Sequence, residues 1–437
     1  MTTSSIERLD ATQAALVELN AQGDEAGRIF TRLYIEEARE AARAADERAR
    51  RGRSLGPLDG RLVSIKDLLD VAGEPTTAGS VLLRDAPPAT RDAVVVRRLR
   101  AAGAVIVGKT SMSEFAFSGV GLNPHYGTPG NVHDATRIPG GSSSGAALSV
   151  ARGLAEIAIG SDTGGSVRIP AAFNGLVGFK PTQARITREG AFPLSYTLDT
   201  LGPLCRSVAD AAATDSVLAG IDDEVLPRRA LRGLRLGVPR GLLFTQADAE
   251  VATAIEQALA RLADAGARVS DEALDEWLTQ PFRLQERGTL VAAEAAHIHR
   301  EWLEARAEAY DPIVLGRIRR GTTIGAASYI GIVQARKAVM DSLDHRLADF
   351  DALLLPTVPV LAPPIAELQS EAGFMRHNTT ALRNPSVFNF FDLPALTLPV
   401  PTAGPLPVGL MVVGRRGCDR ELLSVSAAIE ALFGRRD

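Results

Sequence analysis

The stretch Gly140–Pro170 limits this chain more than any other. Gly140-Gly141-Ser142-Ser143-Ser144-Gly145 opens it, an Ala-rich run and Ile157-Ala158-Ile159-Gly160 follow, and Ser161-Asp162-Thr163-Gly164-Gly165-Ser166-Val167-Arg168-Ile169-Pro170 closes it. Two Gly/Ser clusters therefore bracket a predicted helix and a short apolar strand. Glycine permits torsions and close approaches that a Cβ blocks. A Gly-Gly pair before a serine at a helix start also leaves free N–H groups around one hydroxyl. Gly and Ser dominate ordinary turns as well, and either cluster alone reads as one. Together, a helix and a strand apart, they describe a serine nucleophile beside an oxyanion-binding backbone.

Strands alternating with helices around this stretch predict an α/β fold with a largely buried sheet. Ser5–Arg53 reads as helical, with Gly23 between two helices and Ile29, Leu33 and Ile35 on an apolar stripe. Arg61–Lys66 reads as a strand ending in a lysine, Asp92–Ala102 as a helix and Ala104–Val107 as a buried strand. Ser111–Thr136 reads as a long loop, whose Phe115, Phe117, His125 and Tyr126 suit either a pocket or the core. Phe179-Lys180 ends another strand. Leu234–Pro239, Asp248–Ala265 and Ala267–Val269 form a second strand–helix–strand passage, and residues 282–349 are largely helical, interrupted at Gly321–Gly325. Strands at Asp351–Pro356, Leu396–Pro399 and Leu410–Gly414 precede a closing helix, Arg420–Phe433. At 437 residues the chain exceeds the usual compact domain, yet no linker or repeat divides it, so residues 1–437 read as one domain. Its parts are a helical N-terminal region (5–53), a core at about 60–220 and a helical insert at about 280–350.

Several chemistries are disfavoured. A net charge of −4 gives no electrostatic footprint for nucleic acid. No apolar run approaches a membrane span, and the polar start Met1–Ser5 does not resemble a signal peptide, so a cytoplasmic protein is expected. Cys205 and Cys418 form no ligand or redox motif and read as small hydrophobes. Gly103–Thr110 spells a P-loop, but its apolar, β-branched interior belongs inside a strand rather than in a phosphate-wrapping turn. His297 and His299 face different sides of a predicted helix, a poor metal site, and no metal or cofactor is expected. No Gly-x-Ser-x-Gly elbow with a following Asp and His is present. What remains is a serine whose base is not histidine. A lysine serves if burial keeps it neutral.

The two clusters, with Leu62-Val63-Ser64-Ile65-Lys66-Asp67, Gly108-Lys109-Thr110, Glu114-Phe115, Gly178–Thr182 and Leu198–Pro203, resemble the amidase signature family. The match is dense from about Gly60 to Gly220 and thinner over Asp351–Gly414. The resemblance implies the amidase signature fold, a mixed central sheet covered by helices on both faces. It also implies a Ser–cisSer–Lys triad: Ser166 as nucleophile, Ser142 (its peptide typically cis in that family) as proton relay, and Lys66 as general base. Backbone N–H groups around Thr163, Gly164, Gly165 and Ser166 would form the oxyanion hole, with Asp162 and Arg168 as structural partners of the loop. The implied reaction is hydrolysis of a linear carboxamide to carboxylate and amine or ammonia through an acyl-enzyme.

Two other functions fit the same text. One is the glutaminase (A) subunit of a tRNA-dependent amidotransferase. There an acidic residue for the glutamine amino group is expected shortly before Leu393-Pro394-Ala395, where this chain has Leu382-Arg383. The other is a non-catalytic binding protein on the same fold. The expected partner is a small-molecule amide, without nucleic acid or membrane and with a homodimer as the default assembly. The phenylalanines near the loop and at Phe388–Phe391 suit an apolar or aromatic amide better than a charged one.

Overall fold

The computed structural model describes residues 3–21, 23–221, 226, 227 and 229–434. Among them eleven strands form one sheet: β1 (Phe30–Leu33), β2 (Leu62–Lys66), β3 (Val105–Thr110), β4 (Ile157–Asp162), β5 (Val177–Lys180), β6 (Thr200–Cys205), β7 (Arg235–Arg240), β8 (Arg268–Ala273), β9 (Ala352–Pro356), β10 (Ala395–Val400) and β11 (Val408–Val413). Their spatial order is β1-β3-β2-β4-β6-β5-β10-β11-β9-β7-β8. Pairing is parallel for β3–β2–β4 and for β9–β7–β8, and antiparallel elsewhere. The sheet is mixed, flanked by helices.

Apolar runs buried along their whole length account for the central strands, because a strand covered on both faces has no reason to alternate with polar residues. Ile157 and Ile159 of β4 pack into one apolar cluster while Ala158, between them, packs into the other. That is the two-residue period of a strand with a core on each side. Among the described residues no helix is long and apolar enough to cross a membrane.

Three departures from the sequence reading bear on the site. Leu33 and Ile35 do not share a helical stripe with Ile29: Phe30–Leu33 is a strand pairing antiparallel with β3, and Ile35 is 48% exposed. Strand β6 carries Gly202 and Pro203, residues that weaken any strand signal, and still lies between β4 and β5. Glu371–Phe390 is a 20-residue helix with Pro385 inside it, an interior proline that disguises helical periodicity. The strand β3 continues through Gly108-Lys109-Thr110, and Lys109 Nζ pairs with Asp67 at 3.3 Å and Glu74 at 3.6 Å. The P-loop spelling is therefore strand, and its lysine is held by carboxylates.

Candidate active site

Lys66 ends β2 with its side chain 0% exposed. Parallel pairing sets Val63 beside Ile157 and Ile65 beside Ile159, which carries the end of β2 to the end of β4. There Lys66 Nζ lies 2.7 Å from Ser142 Oγ and 2.8 Å from Ser161 Oγ. Burial pulls the ammonium down to about 7, against the pull of the Asp162 and Asp199 carboxylates toward the charged form. A large part of the amine is thus neutral near pH 7, able to accept a proton.

Ser142 stands at the end of a loop pinned from several sides. Gly141 N–H donates to the Gly119 carbonyl at 2.9 Å and Ser113 N–H to the Ser142 carbonyl at 3.1 Å. The Gly141–Ser142 peptide is cis. A Cβ on Gly141 would stand 2.6 Å from the Gly121 backbone, so the close approach requires glycine. The helix Ser144–Ala151 starts here. Ser143 N–H donates to the Ser166 carbonyl at 3.3 Å, joining the two Gly/Ser clusters.

The second cluster winds around a buried carboxylate. Asp162 accepts from Gly165 N–H at 2.8 Å and Val167 N–H at 3.1 Å. Arg168 Nε and Nη2 reach it at 3.0 and 2.9 Å, and Asn389 Nδ2 at 2.8 Å. Burial opposes its charge, yet the Arg168 guanidinium and these donors hold the carboxyl well below the usual range. Asp162 and Arg168 are thus the loop's frame. Gly165 has φ +127°, and a Cβ there would meet Pro385 Cβ at 2.6 Å; the turn admits no other residue without strain. Of the four backbone N–H groups expected around an oxyanion, that of Gly165 donates to Asp162 Oδ1. Among the described residues, the N–H groups of Thr163, Gly164 and Ser166 have no acceptor.

Thr163, Gly164 and Ser166 line a cavity of about 300 Å³. Of the four loop residues singled out in the sequence, Phe117 alone reaches it. Phe115 is 1% exposed and packs edge-on to His299 with ring centroids 4.3 Å apart. His125 Nε2 sits 2.9 Å from Glu114 Oε1, and Tyr126 lies under Arg84. From the helical insert come Phe282, Gln285, Val291 and Arg317; the helix Glu371–Phe390 adds Leu382, Ser386 and Phe390, while Phe388 and Phe391 stay in the core. His297 is exposed and His299 buried, on different sides of their helix.

Sequence reasoning missed three groups at this site. Ser161, the second partner of Lys66, was legible only as the residue before Asp162. Asp199 accepts from Thr163 Oγ1 at 2.6 Å and from Leu194 and Ser195 N–H at 2.9 and 3.0 Å, steadying the residue that opens the loop. Asn389 lies 227 positions from Asp162, with no local signal at all.

The family model for Amidase matches residues 10–423. The chain belongs to the amidase family. This amidase is a hydrolase of carbon–nitrogen bonds other than peptide bonds. It is 38% identical to the 2-amino-5-chloromuconic acid deaminase of Comamonas testosteroni, covering 98% of this chain and 94% of that protein. It is 35% identical to the A component of the glutamyl-tRNA(Gln) amidotransferase of Chloroflexus aurantiacus, over 98% and 93% of the two chains. A crystal structure of an amidase superposes with a TM-score of 0.88 at 37% identity, covering 99% of this amidase and 97% of that chain.

Proposed function

We propose that this amidase cleaves its amide through an acyl-enzyme on Ser166, with Ser142 as relay and Lys66 as base. The observation that carries the reading is the 2.7 Å contact between Lys66 Nζ and Ser142 Oγ, made by a lysine brought down to about 7. Ser166 Oγ attacks the carbonyl carbon; its proton passes to Ser142 Oγ as the Ser142 proton passes to Lys66 Nζ. The developing oxyanion faces the free N–H groups of Thr163, Gly164 and Ser166, fixed dipoles that need no reorganisation. The proton then returns through Ser142 to the leaving nitrogen and the C–N bond breaks. Water, deprotonated along the same path, resolves the ester to a carboxylate. The second hydroxyl on Lys66, Ser161, accepts an N–H and aims the lone pair at Ser142. The reading takes residues 1–437 as one cytoplasmic amidase domain acting on a small molecule.

A fluorophosphonate probe followed by peptide mass spectrometry tests the nucleophile. Label on Ser166, absent in Ser166→Ala, is the expected result; an unlabelled Ser166 in a folded enzyme rejects it.

Similarity to the amidotransferase A component over 98% of the chain supports a second reading, a glutaminase that works with partner chains. It is carried less far, because Leu382 on the cavity wall is apolar and Arg383 is turned to the Thr245 carbonyl at 2.8 Å. Neither supplies the carboxylate that a glutamine amino group needs. Ammonia release from glutamine, by the chain alone and with amidotransferase partners, separates the two.

A further inference from the structure

The Thr163 N–H shares one peptide unit with the Asp162 carbonyl. That peptide is trans and planar, so the two groups point in opposite directions. Whatever holds the carbonyl therefore aims the N–H. The holder lies across the sheet. Antiparallel pairing of β4 with β6 sets Asp162 opposite Thr200, and Thr200 Oγ1 donates to the Asp162 carbonyl at 2.8 Å. Asn389 Nδ2 adds a second contact to that carbonyl at 3.2 Å. The residue before Thr200 takes the side chain beyond the peptide: Thr163 Oγ1 donates to Asp199 Oδ1 at 2.6 Å. Thr163, Asp199 and Thr200 are all buried.

The same carboxylate gathers part of the cavity wall. Asp199 Oδ2 accepts from Leu194 N–H and Ser195 N–H at 2.9 and 3.0 Å, and the Asp199 N–H returns to the Ser195 carbonyl at 3.0 Å. This closes the segment Leu194–Asp199, whose Leu194 and Leu198 line the cavity beside Thr163. Charged groups surround it. Lys66, at the end of β2, feels both Asp199 and Asp162. Arg188 Nη1 donates to the Asp199 backbone carbonyl at 3.4 Å. Glu294, from the helix Leu290–His299, accepts from Ser195 Oγ.

We propose that the consecutive residues Asp199 and Thr200 are positioning residues for the amidase reaction, clasping the Asp162–Thr163 peptide so that its N–H stays aimed at the oxyanion. Thr200 fixes the carbonyl of that peptide, and Asp199 fixes the side chain that follows it. A donor held in place before the reaction needs no reorganisation as charge develops. The Asp199 carboxylate has a second effect, because a negative charge near Lys66 favours its ammonium. The proposal rests on Ser166 as nucleophile, Lys66 as base and the Thr163 N–H as an oxyanion donor.

The rate of labelling by an ethyl fluorophosphonate probe tests this without a known substrate, since the phosphoryl oxygen takes the place of the carbonyl oxygen. Its limiting rate constant and half-saturating concentration are measured across the acid limb of the pH profile. Thr200→Val, which loses only the hydroxyl, and Asp199→Asn are each expected to slow the limiting rate about 10- to 100-fold, the scale of a displaced donor. Half-saturation stays unchanged, and Thr200→Ser labels at the wild-type rate. Asp199→Asn also moves the acid limb to lower pH, because the amine loses its proton more readily without that charge. Thr200→Val leaves the limb in place. Thr163→Val breaks the same hydrogen bond from the other side and replaces Asp199→Asn if circular dichroism shows the latter misfolded. A merely structural contribution lowers the amount of protein labelled, not its rate constant. Wild-type rates in either variant, a loss confined to the amplitude, no rescue by Thr200→Ser, or an unmoved limb in Asp199→Asn overturns the proposal. Ser166 unlabelled in the wild type removes the nucleophile itself, whereas a labelled Ser166 with indifferent variants removes only the clasp.

Discussion

At the scale of single residues, two buried charges have opposite fates. Among the described residues Lys66 has no carboxylate in contact, so desolvation decides and the amine comes down to about 7. Asp162 is equally buried but holds a guanidinium and backbone donors, and stays ionised. The lysine must be neutral to accept a proton, so kcat/KM should fall about tenfold per pH unit below 7 and level off above it. A pH–rate profile flat down to pH 5 would remove Lys66 as base. Lys66→Ala should cost roughly 10²- to 10⁴-fold in kcat, and Ser142→Ala little more on top of it, because the groups act as one unit. Arg168→Met leaves Asp162 buried without its counter-charge. A loss of about 3–5 kcal/mol in denaturant unfolding is expected, whereas a stability within about 1 kcal/mol of wild type would show the pair to be dispensable.

At the scale of elements, the site is made where strand ends meet helix starts. Strands β2 and β4 run parallel, so Lys66 and Ser161 arrive together at one edge of the sheet. The helix Glu371–Phe390 then closes the loop from outside: Asn389 and the Pro385 carbonyl both bond Arg168 or Asp162. Asn389→Leu is expected to strip donors from the Asp162 carboxylate and cost about 1–3 kcal/mol, read as a lower unfolding midpoint with slower labelling of Ser166. Unchanged labelling would mean that Arg168 frames the loop alone. Glu114 likewise ties the turn Glu114–Ala116 to the helix Pro312–Arg319, accepting from Asp311 N–H at 2.8 Å, and burial raises its carboxyl to about 7.

At the scale of the whole molecule, the N-terminal segment is part of the sheet. β1 covers the edge of β3, and the Ile29 carbonyl accepts Ser111 N–H at 2.8 Å beside the helix Ser144–Ala151. Removing residues 1–34 uncovers that edge, a template for pairing with other chains. Gel filtration of the truncated chain should show aggregation and loss of Ser166 labelling; a monodisperse, labelled product would mean the edge is protected another way.

The α/β class, most strands and the Gly/Ser clusters were legible in order along the chain, because buried strands and glycine turns leave local composition signatures, whereas Lys66, Ser142 and Ser166 were singled out through the family resemblance. Strand β6, with its Gly202 and Pro203, and the proline-bearing helix Glu371–Phe390 carry no such signature and exist because neighbours pair or pack with them. The sequence by itself determined the α/β class and the family to which the chain belongs. Only the tertiary structure decided that Gly165 serves Asp162, that Phe115 is core while Phe117 is wall, and that Thr200 lies opposite Asp162. Hydrogen-bond partners, burial and charge balance are properties of what lies across the fold, often hundreds of residues away, and no local pattern encodes them.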